Sequence, residues 1–339
     1  MKKYKYLLAG GILATALFAG AQEIDPITKA VLNTYTEMIA KNPKDYMSYY
    51  QRAEEYLGIG EVDKAKADLE DAIRNTPAKD TSFLEKEYAL LCDVYIFKDD
   101  MDKAIETLQT GLKEAPTSYY NRFKLGNLYL ALDRPEEAYN TFRQLQSLKS
   151  RSQEAYYGMG LAAAALGRTQ EVEDLIQQVI NANLNSYLTY QRAGEMYEAI
   201  GKNDKAATNY IRAYTMVETS NEPLESLVKL ASKDYATVNS ELQKILESVP
   251  SNVTMRYIKA TIAEDNGDHA TAISDLNALI AMNEGREPFV YSLLAKSQLN
   301  AGNIEAALEA INQAETLAPA NTEIQSLKAL ILEQSSPQD

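Results

Sequence analysis

The chain has 339 residues, with 48 acidic against 34 basic side chains and a formal net charge of -14 at pH 7. Such an acidic body repels phosphate backbones and anionic lipid head groups, which argues against nucleic acid and membrane surfaces as partners. One histidine and one cysteine exclude a histidine-rich metal site and an intramolecular disulfide. A catalytic triad would have to use His269, so we predict no catalytic residues, no metal site and no cofactor.

The N-terminus has the pattern of a cleavable export signal. Three lysines precede an apolar stretch over residues 7–18, and residues 19–21 supply the small side chains of a cleavage site. We therefore expect residues 1–21 to be removed and the mature protein to be exported, periplasmic or secreted, and soluble. The apolar stretch is shorter than the roughly 20 residues of a spanning helix, and no other segment is apolar enough to cross a bilayer. An uncleaved anchor is the alternative.

The middle of the chain repeats itself every 34 residues. An apolar column comprises Leu91, Leu125, Met159 and Ala193, and a column of small residues comprises Cys92, Gly126, Gly160 and Gly194. Within each half repeat the columns recur in steps of three and four residues, and helix-stopping residues separate the halves. The sequence thus predicts antiparallel pairs of helices, and their close approach explains the small column.

This pattern resembles the tetratricopeptide repeat, in which an aromatic residue, a Leu-Gly pair, a tyrosine, small residues and a closing proline recur. One copy reads Tyr49, Ala53, Tyr56, Gly60, Ala65, Leu69, Ala72 and Pro77. The last copy reads Tyr291, Leu294, Ala295, Gly302, Ala307, Ile311, Ala314 and Pro319. The resemblance covers nearly the whole mature chain and implies an all-α fold, a right-handed α-solenoid of antiparallel helix pairs.

The spacing of the copies predicts the domain organisation after the signal. We expect an N-terminal capping helix in residues 22–45, five repeats in 46–218, a degenerate repeat in 219–252, two repeats in 253–321, and a C-terminal capping helix with a tail in 322–339. Terminal repeats need such caps because they have one unpartnered face.

Two joints depart from the regular spacing. A long step between the first two copies predicts an enlarged joint at residues 79–84, before a helix that starts near Glu85. Pro223 predicts a short helix in the degenerate repeat, because proline belongs at a helix N-terminus. Residues 218–232 are therefore the expected hinge or exposed groove.

Three isolated features imitate functional motifs. The segment that starts at Gly158 fits a dinucleotide-binding fingerprint, but it lies inside a predicted helix. The aspartates at positions 99, 100 and 102 fit helix capping better than a calcium loop. We predict that His269 is solvated in a turn, and that Cys92 is a small core residue rather than a reactive thiol.

In the family that this chain resembles, the first helix of each pair lines the concave face of the solenoid. One column of the first helices is rotated about 100° away from the core seam and should project into this groove. The predicted partner-binding residues on this face are Tyr50, Phe123, Asn127, Tyr157, Arg192 and Tyr257. Rings supply anchoring area, and polar groups fix the register of a bound peptide or helix. The alternative is that the rings pack against adjacent first helices.

Family members that clamp a C-terminal carboxylate use a lysine and an asparagine on one first helix. Lys124 and Asn127 are present here, but the column of the key lysine is aromatic, so we do not expect a clamp for a chaperone tail.

We predict a protein-binding scaffold or adaptor of the bacterial cell envelope, with a peptide or helix of its partner in the groove. The alternatives are a glycan- or cell-wall-associated module that uses the groove tyrosines, and an enzyme that depends on His269.

Overall fold

The structure, a computed structural model, describes residues 24–149, 152–217, 220–282 and 287–335. The predicted export signal in residues 1–21 lies outside these described residues. The chain divides into two compact units, of which unit 1 ends at Leu184 and unit 2 begins at Asn185. The described residues form eighteen helices and no strand, so the all-α prediction is confirmed.

Each unit contains nine of these helices. In unit 1 they are α1 (Pro26–Lys41), α2 (Tyr46–Gly58), α3 (Val62–Asn75), α4 (Thr81–Phe97), α5 (Met101–Glu114), α6 (Tyr119–Ala131), α7 (Pro135–Leu148), α8 (Gln153–Ala165) and α9 (Thr169–Ala182). In unit 2 they are α10 (Tyr187–Ala199), α11 (Asn203–Met216), α12 (Glu222–Ala231), α13 (Tyr235–Ser248), α14 (Val253–Asp265), α15 (His269–Ala281), α16 (Pro288–Asn300), α17 (Ile304–Leu317) and α18 (Thr322–Ser335).

Within each unit, consecutive helices are joined by short connections and pack against each other. Helices α2 to α17 therefore form eight antiparallel hairpins, each with a first and a second helix. Helices α1 and α18 precede the first hairpin and follow the last one.

A residue with left-handed backbone ends the first helix in seven of these hairpins. The angle φ is positive at Gly60, Asp99, Asp133, Gly167, Gly201, Gly267 and Gly302. The next N–H then bonds back into the helix, as Arg134 N does to Tyr129 O at 2.9 Å. The remaining hairpin, α12–α13, is irregular because α12 has only 10 residues, with Pro223 in its first turn as predicted.

The small column makes room for an aromatic ring of the second helix. A Cβ atom at Gly126 would lie 2.6 Å from Phe142 Cζ, and one at Gly194 would lie 2.5 Å from Tyr210 Cε1. Both rings are fully buried, so neither can swing away. The Phe142 ring also lies against Gly158 of the following first helix, where an added Cβ would be 2.5 Å from the ring. One side chain thus sets the spacing within a hairpin and to the next hairpin.

In two hairpins a buried ion pair occupies positions that are apolar elsewhere. In α14–α15, Asp275 accepts hydrogen bonds from Lys259 Nζ at 2.6 Å and from Arg256 Nη1 at 3.0 Å. The matching positions of α16–α17 hold Leu294 and Ala310, which are both buried. An arginine and an aspartate form the corresponding pair in α2–α3, at 2.7 Å. The seam between the two helices therefore accepts either an apolar contact or a paired charge.

Helix α4 begins earlier than the sequence predicted. It starts at Thr81 rather than near Glu85, because the Asp80 carboxylate accepts a hydrogen bond from Phe83 N at 3.3 Å and caps the helix. The enlarged joint predicted at residues 79–84 is therefore mostly an additional helical turn. This turn makes Phe83 part of α4, the first helix of the second hairpin.

His269 is not the solvated turn residue that we predicted. It is the first residue of α15, only 27% of its side chain is exposed, and its Nδ1 lies 2.9 Å from Glu264 Oε2. Glu264 is buried and also accepts a hydrogen bond from Asn300 Nδ2 at 2.6 Å. The prediction failed because a turn position was equated with solvation. Cys92 is fully buried, as predicted, and burial raises the pKa of its thiol.

The ring-on-glycine contact predicts a specific packing defect. Gly158→Ala should destabilise the protein by about 1–3 kcal/mol, because the new methyl group overlaps the buried Phe142 ring. Gly58→Ala is the matched control, since nothing lies within 4 Å of its added Cβ. Urea unfolding followed by circular dichroism measures both variants. Equal stability of the two variants would contradict the assigned contact.

The ion pair of α14–α15 predicts that a second substitution can restore stability lost through the first. Asp275→Ala leaves Lys259 buried without its counter-charge and should cost about 3–5 kcal/mol of unfolding free energy. The double variant Lys259→Leu with Asp275→Ala copies the apolar pair of the next hairpin and should recover part of that loss, the remainder being the bond to Asp275 that Arg256 also loses. Chemical denaturation of both variants tests this prediction. A double variant as unstable as the single one would show that the two seams are not equivalent.

Candidate functional site

The six predicted partner-binding residues lie on first helices and are all half-buried. Four of them belong to unit 1, where α2 carries Tyr50, α6 carries Phe123 and Asn127, and α8 carries Tyr157. The other two belong to unit 2, with Arg192 on α10 and Tyr257 on α14. The predicted residues thus form two groups, one in each unit.

The side chains around the unit 1 group share one side of its first helices. We call this set the unit 1 surface. It consists of Tyr50, Glu54, Phe83, Asp93, Tyr120, Phe123, Lys124, Asn127 and Tyr157. A ring contact joins α2 to α4 and an ion pair joins α4 to α6, while a cation–π contact lies within α6.

Tyr50 packs edge-to-face on the neighbouring first helix. Its ring centroid lies 5.2 Å from that of Phe83 on α4, with an interplanar angle of 66°. Tyr46, one turn earlier on α2, contacts the same ring at 5.1 Å. Phe83 is therefore held between two tyrosines, and this geometry matches the alternative in which groove rings pack against adjacent first helices. Tyr50 remains half-buried, so part of its surface still faces solvent.

The other two ring contacts differ in their partners. Phe123 lies 6.2 Å from the buried Phe142 of α7, so it extends the core of its own hairpin towards the surface. Tyr257 in unit 2 lies 5.0 Å from Phe289 of α16, and 52% of Phe289 is exposed. Tyr50, Phe123 and Tyr257 thus each combine a ring contact with partial exposure, and Tyr157 is likewise half-buried.

A cavity of about 360 Å³ opens beside Phe289 in unit 2. Helices α16 and α18 form its walls, which include Phe289, Leu293, Lys296, Ile324 and Leu327. The walls are mostly apolar, and Lys296 is the one basic side chain among the lining residues. This cavity is large enough for an apolar side chain of a bound segment.

The most buried charges of the unit 1 surface neutralise each other. Lys124 Nζ lies 2.5 Å from Asp93 Oδ1, and the two side chains are only 11% and 13% exposed. The Tyr120 ring lies 5.6 Å from the same Nζ atom. Burial is the largest single influence and lowers the pKa of Lys124, but the charge of Asp93, its hydrogen bond and smaller contributions from Cys92 and Tyr120 together outweigh it, so the pKa lies above its usual value. Lys124, the lysine that a carboxylate clamp would use, is thus already paired with Asp93 of the same chain.

Glu54 is the half-buried acid of this surface, one helical turn after Tyr50. Gln51 Nε2 donates a hydrogen bond to Glu54 Oε2 at 2.8 Å. Burial raises the pKa of Glu54, and burial together with the Glu54 charge raises the pKa of Tyr50. The carboxylate is thus partly dehydrated beside an aromatic ring.

Sequence reasoning missed two aromatic contributors to these surfaces and one ion pair. Phe83 was assigned to a joint, because the capped first turn of α4 was not recognised. Phe289 follows Pro288 at the start of α16, and it lies outside the column of first-helix residues that was predicted to face the groove. Asp93 stands in a groove column, but its ion pair with Lys124 depends on the spacing of two separate hairpins. An N-cap aspartate at position 80 was the available signal for Phe83.

Behind the unit 1 surface, α4 buries a second carboxyl group. Glu87 is fully buried, and Thr76 Oγ1 donates a hydrogen bond to its Oε1 at 2.7 Å. Burial raises the pKa of Glu87 to about 7, the Thr76 hydrogen bond lowers it, and the charges of Asp80 and Glu114 raise it further. The protonated acid is therefore the form that the fold prefers.

Glu87 predicts that stability falls with rising pH. The folded chain holds the proton more tightly than the unfolded chain, so unfolding free energy should decrease between about pH 4.5 and pH 7 and then level off. Glu87→Gln removes this dependence and should be more stable than wild type at pH 8 by on the order of 2–3 kcal/mol. Urea titrations at pH 5 and pH 8 measure the difference, with the exposed Glu106→Gln as control. A Glu87→Gln effect that is equal at both pH values would contradict the assignment.

Two features are absent among the described residues. These residues contain no cluster of three or more acidic, histidine or cysteine side chains placed to hold a metal ion. None of their helices combines the length and apolarity that a membrane span requires. The exposed chemistry is instead that of rings, amides and single charges on the first helices.

Comparisons with known proteins agree with the hairpin architecture. Family models described as tetratricopeptide repeat match residues 48–79, 123–183 and 263–331. Anaphase-promoting complex subunit 3 from Schizosaccharomyces pombe is 23% identical over 181 residues, which are 52% of this chain and 27% of that protein. Hsp70-Hsp90 organizing protein 2 from Arabidopsis thaliana is 37% identical over 84 residues, or 25% of this chain and 14% of that protein.

A solved structure is also similar. The tetratricopeptide repeat protein from Parabacteroides merdae is 17% identical with a TM-score of 0.43, and the match covers 85% of this chain and 98% of that chain. Both curated relatives are much longer than the matched region, since the chain spans 27% and 14% of their lengths.

Proposed function

The chain belongs to the tetratricopeptide repeat family, and we propose that it is a scaffold or adaptor that binds a peptide or helix of a partner protein on its first helices. The observation that carries this proposal is that Tyr50, Phe123 and Tyr257, on first helices of both units, are half-buried rings that each combine a ring contact with partial exposure. Such rings are already partly ordered, so a partner gains anchoring area at low cost in side-chain entropy.

The two units supply different binding chemistry. On the unit 1 surface, Phe123 and Tyr157 are the proposed anchors, and Asn127 provides a polar group one turn from Phe123. In unit 2, Phe289 lines the apolar cavity and Tyr257 packs against Phe289, while Arg192 on α10 is a further polar candidate. An apolar anchor beside a polar group that fixes register is the usual arrangement for an extended peptide or an amphipathic helix.

The proposed cellular location rests on the N-terminal pattern alone. Residues 1–21 support an export signal, and the mature chain would then act in the bacterial cell envelope, in the periplasm or outside it. In this proposal, the domain boundaries are those expected from the repeat spacing, with caps at residues 22–45 and 322–339. The names of two relatives refer to an assembly and to an organizing protein, which is in keeping with an adaptor.

Capture of partners tests the proposal. Tyr157→Ala and the double variant Phe123→Ala with Tyr157→Ala should each reduce the amount of protein crosslinked to the chain in its native envelope by several-fold. Leu148→Ala is the matched control, since this exposed side chain lies on the second helix α7. Circular dichroism melting should show that Tyr157→Ala folds normally.

The outcomes separate the candidate functions. Loss of crosslinked proteins in the Tyr157→Ala variant, with capture retained in the control, supports the scaffold. Unchanged capture in both tyrosine variants would reject the unit 1 surface as the binding site. Retention on purified cell-wall glycan, lost in the same variants while protein capture persists, would favour a glycan-binding module instead.

A further inference from the structure

The unit 1 surface has a charge pattern that selects among partner segments. Its buried lysine is neutralised by Asp93 at 2.5 Å, so this cation is not available to an incoming anion. Displacing Asp93 would leave a carboxylate that is 13% exposed without its counter-charge, which costs more than a new surface pair would return. An acidic side chain or a C-terminal carboxylate is therefore disfavoured at this site.

Glu54 carries a negative charge that, unlike the charge of Lys124, is partly exposed to solvent. Its carboxylate is half-buried, with an amide donor from Gln51 at 2.8 Å. Lys86 on α4 is exposed, and its charge acts on Glu54, but the two form no ion pair among the described residues. A partly dehydrated carboxylate attracts a cation more strongly than one in bulk water does, because the local dielectric constant is lower.

Aromatic rings complete the environment of Glu54. Tyr50 lies one helical turn away on the same side of α2, and its ring contacts Phe83 at 5.2 Å. A guanidinium group can bond to a carboxylate through two N–H groups while its flat face lies over a ring. An ammonium group can use the same carboxylate and ring, with weaker geometric matching.

We propose that the unit 1 surface binds a segment of a partner protein that carries an arginine or lysine, with the cation held by the Glu54 carboxylate and the Tyr50 and Phe83 rings. This proposal rests on the proposed scaffold function and names the chemistry of its partner. Asp93 has the complementary role of a specificity-determining residue, since it keeps Lys124 from recruiting anionic segments. The net charge of -14 further favours the approach of a basic segment.

Labelled peptide libraries provide the test. The probes are amidated nine-residue libraries with arginine, lysine, citrulline or glutamate fixed at the centre, together with the citrulline library bearing a free C-terminal carboxylate. Binding to the chain is followed by fluorescence anisotropy. Citrulline has nearly the shape of arginine without its charge. We expect the arginine library to bind about tenfold more tightly than the citrulline library, and the glutamate library to bind most weakly.

Charge-matched variants locate the effect. Glu54→Gln should remove most of the preference for arginine, whereas Glu55→Gln, which changes net charge equally on the adjacent position of α2, should preserve it. Lys86→Met removes the competing cation and should strengthen binding of the arginine library. Asp93→Asn should create a preference for peptides with a free C-terminal carboxylate, which wild type lacks.

Several results would overturn the proposal. These are equal binding of the arginine and citrulline libraries, equal losses in the Glu54 and Glu55 variants, or a carboxylate preference in the wild type. Equal binding of all libraries that Tyr157→Ala abolishes would reject the basic preference but leave the scaffold function intact. Binding of no library, together with unchanged envelope capture by the Tyr157→Ala variant, would reject both.

Discussion

The contact of an aromatic ring with a glycine on the facing helix sets the spacing on which the rest of the hairpin depends. Phe142 lies against Gly126 of its own hairpin and against Gly158 of the next, and a Cβ at either position would overlap it. Because the ring is fully buried, neither helix can move outwards without opening a cavity or inwards without a clash. The first helices α6 and α8 are therefore held at a fixed separation. The side chains on the faces of these helices that point away from Phe142 are positioned by the same spacing.

The same constraint explains why the seam tolerates such different chemistry beside the ring. Once backbone spacing is set, Lys259 and Asp275 can occupy positions that Leu294 and Ala310 fill in the next hairpin. Their mutual attraction offsets part of the cost of removing both charges from water, and the ion pair fixes the relative position of the two side chains. Stability in this chain thus comes from repeated local packing, which suits a molecule whose lone cysteine is buried and unpaired.

Much of this architecture could be predicted from the sequence because helical periodicity and turn residues are local signals. The left-handed turns fall at glycines and aspartates that were recognised as helix stops, and Pro223 does begin a short helix. Two features were missed, one because it depends on a contact between helices and one because a local helix cap was not recognised. His269 bonds to a buried glutamate from the preceding helix, and Phe83 reaches the unit 1 surface through a turn that Asp80 caps. Neither follows from the repeat columns.

The chemistry of the unit 1 surface also shows why residue type alone misleads about binding. Lys124 and Asn127 stand one turn apart on α6, as in a carboxylate clamp, yet Asp93 from the preceding hairpin cancels the lysine charge. The pair is buried, so salt screens it weakly and a competing anion gains little by approaching. The accessible charge is instead Glu54, beside rings that are already ordered by their mutual contact. In the proposed binding mode, specificity would thus be set by contacts between hairpins, because these contacts decide which charges are neutralised and which can meet a partner.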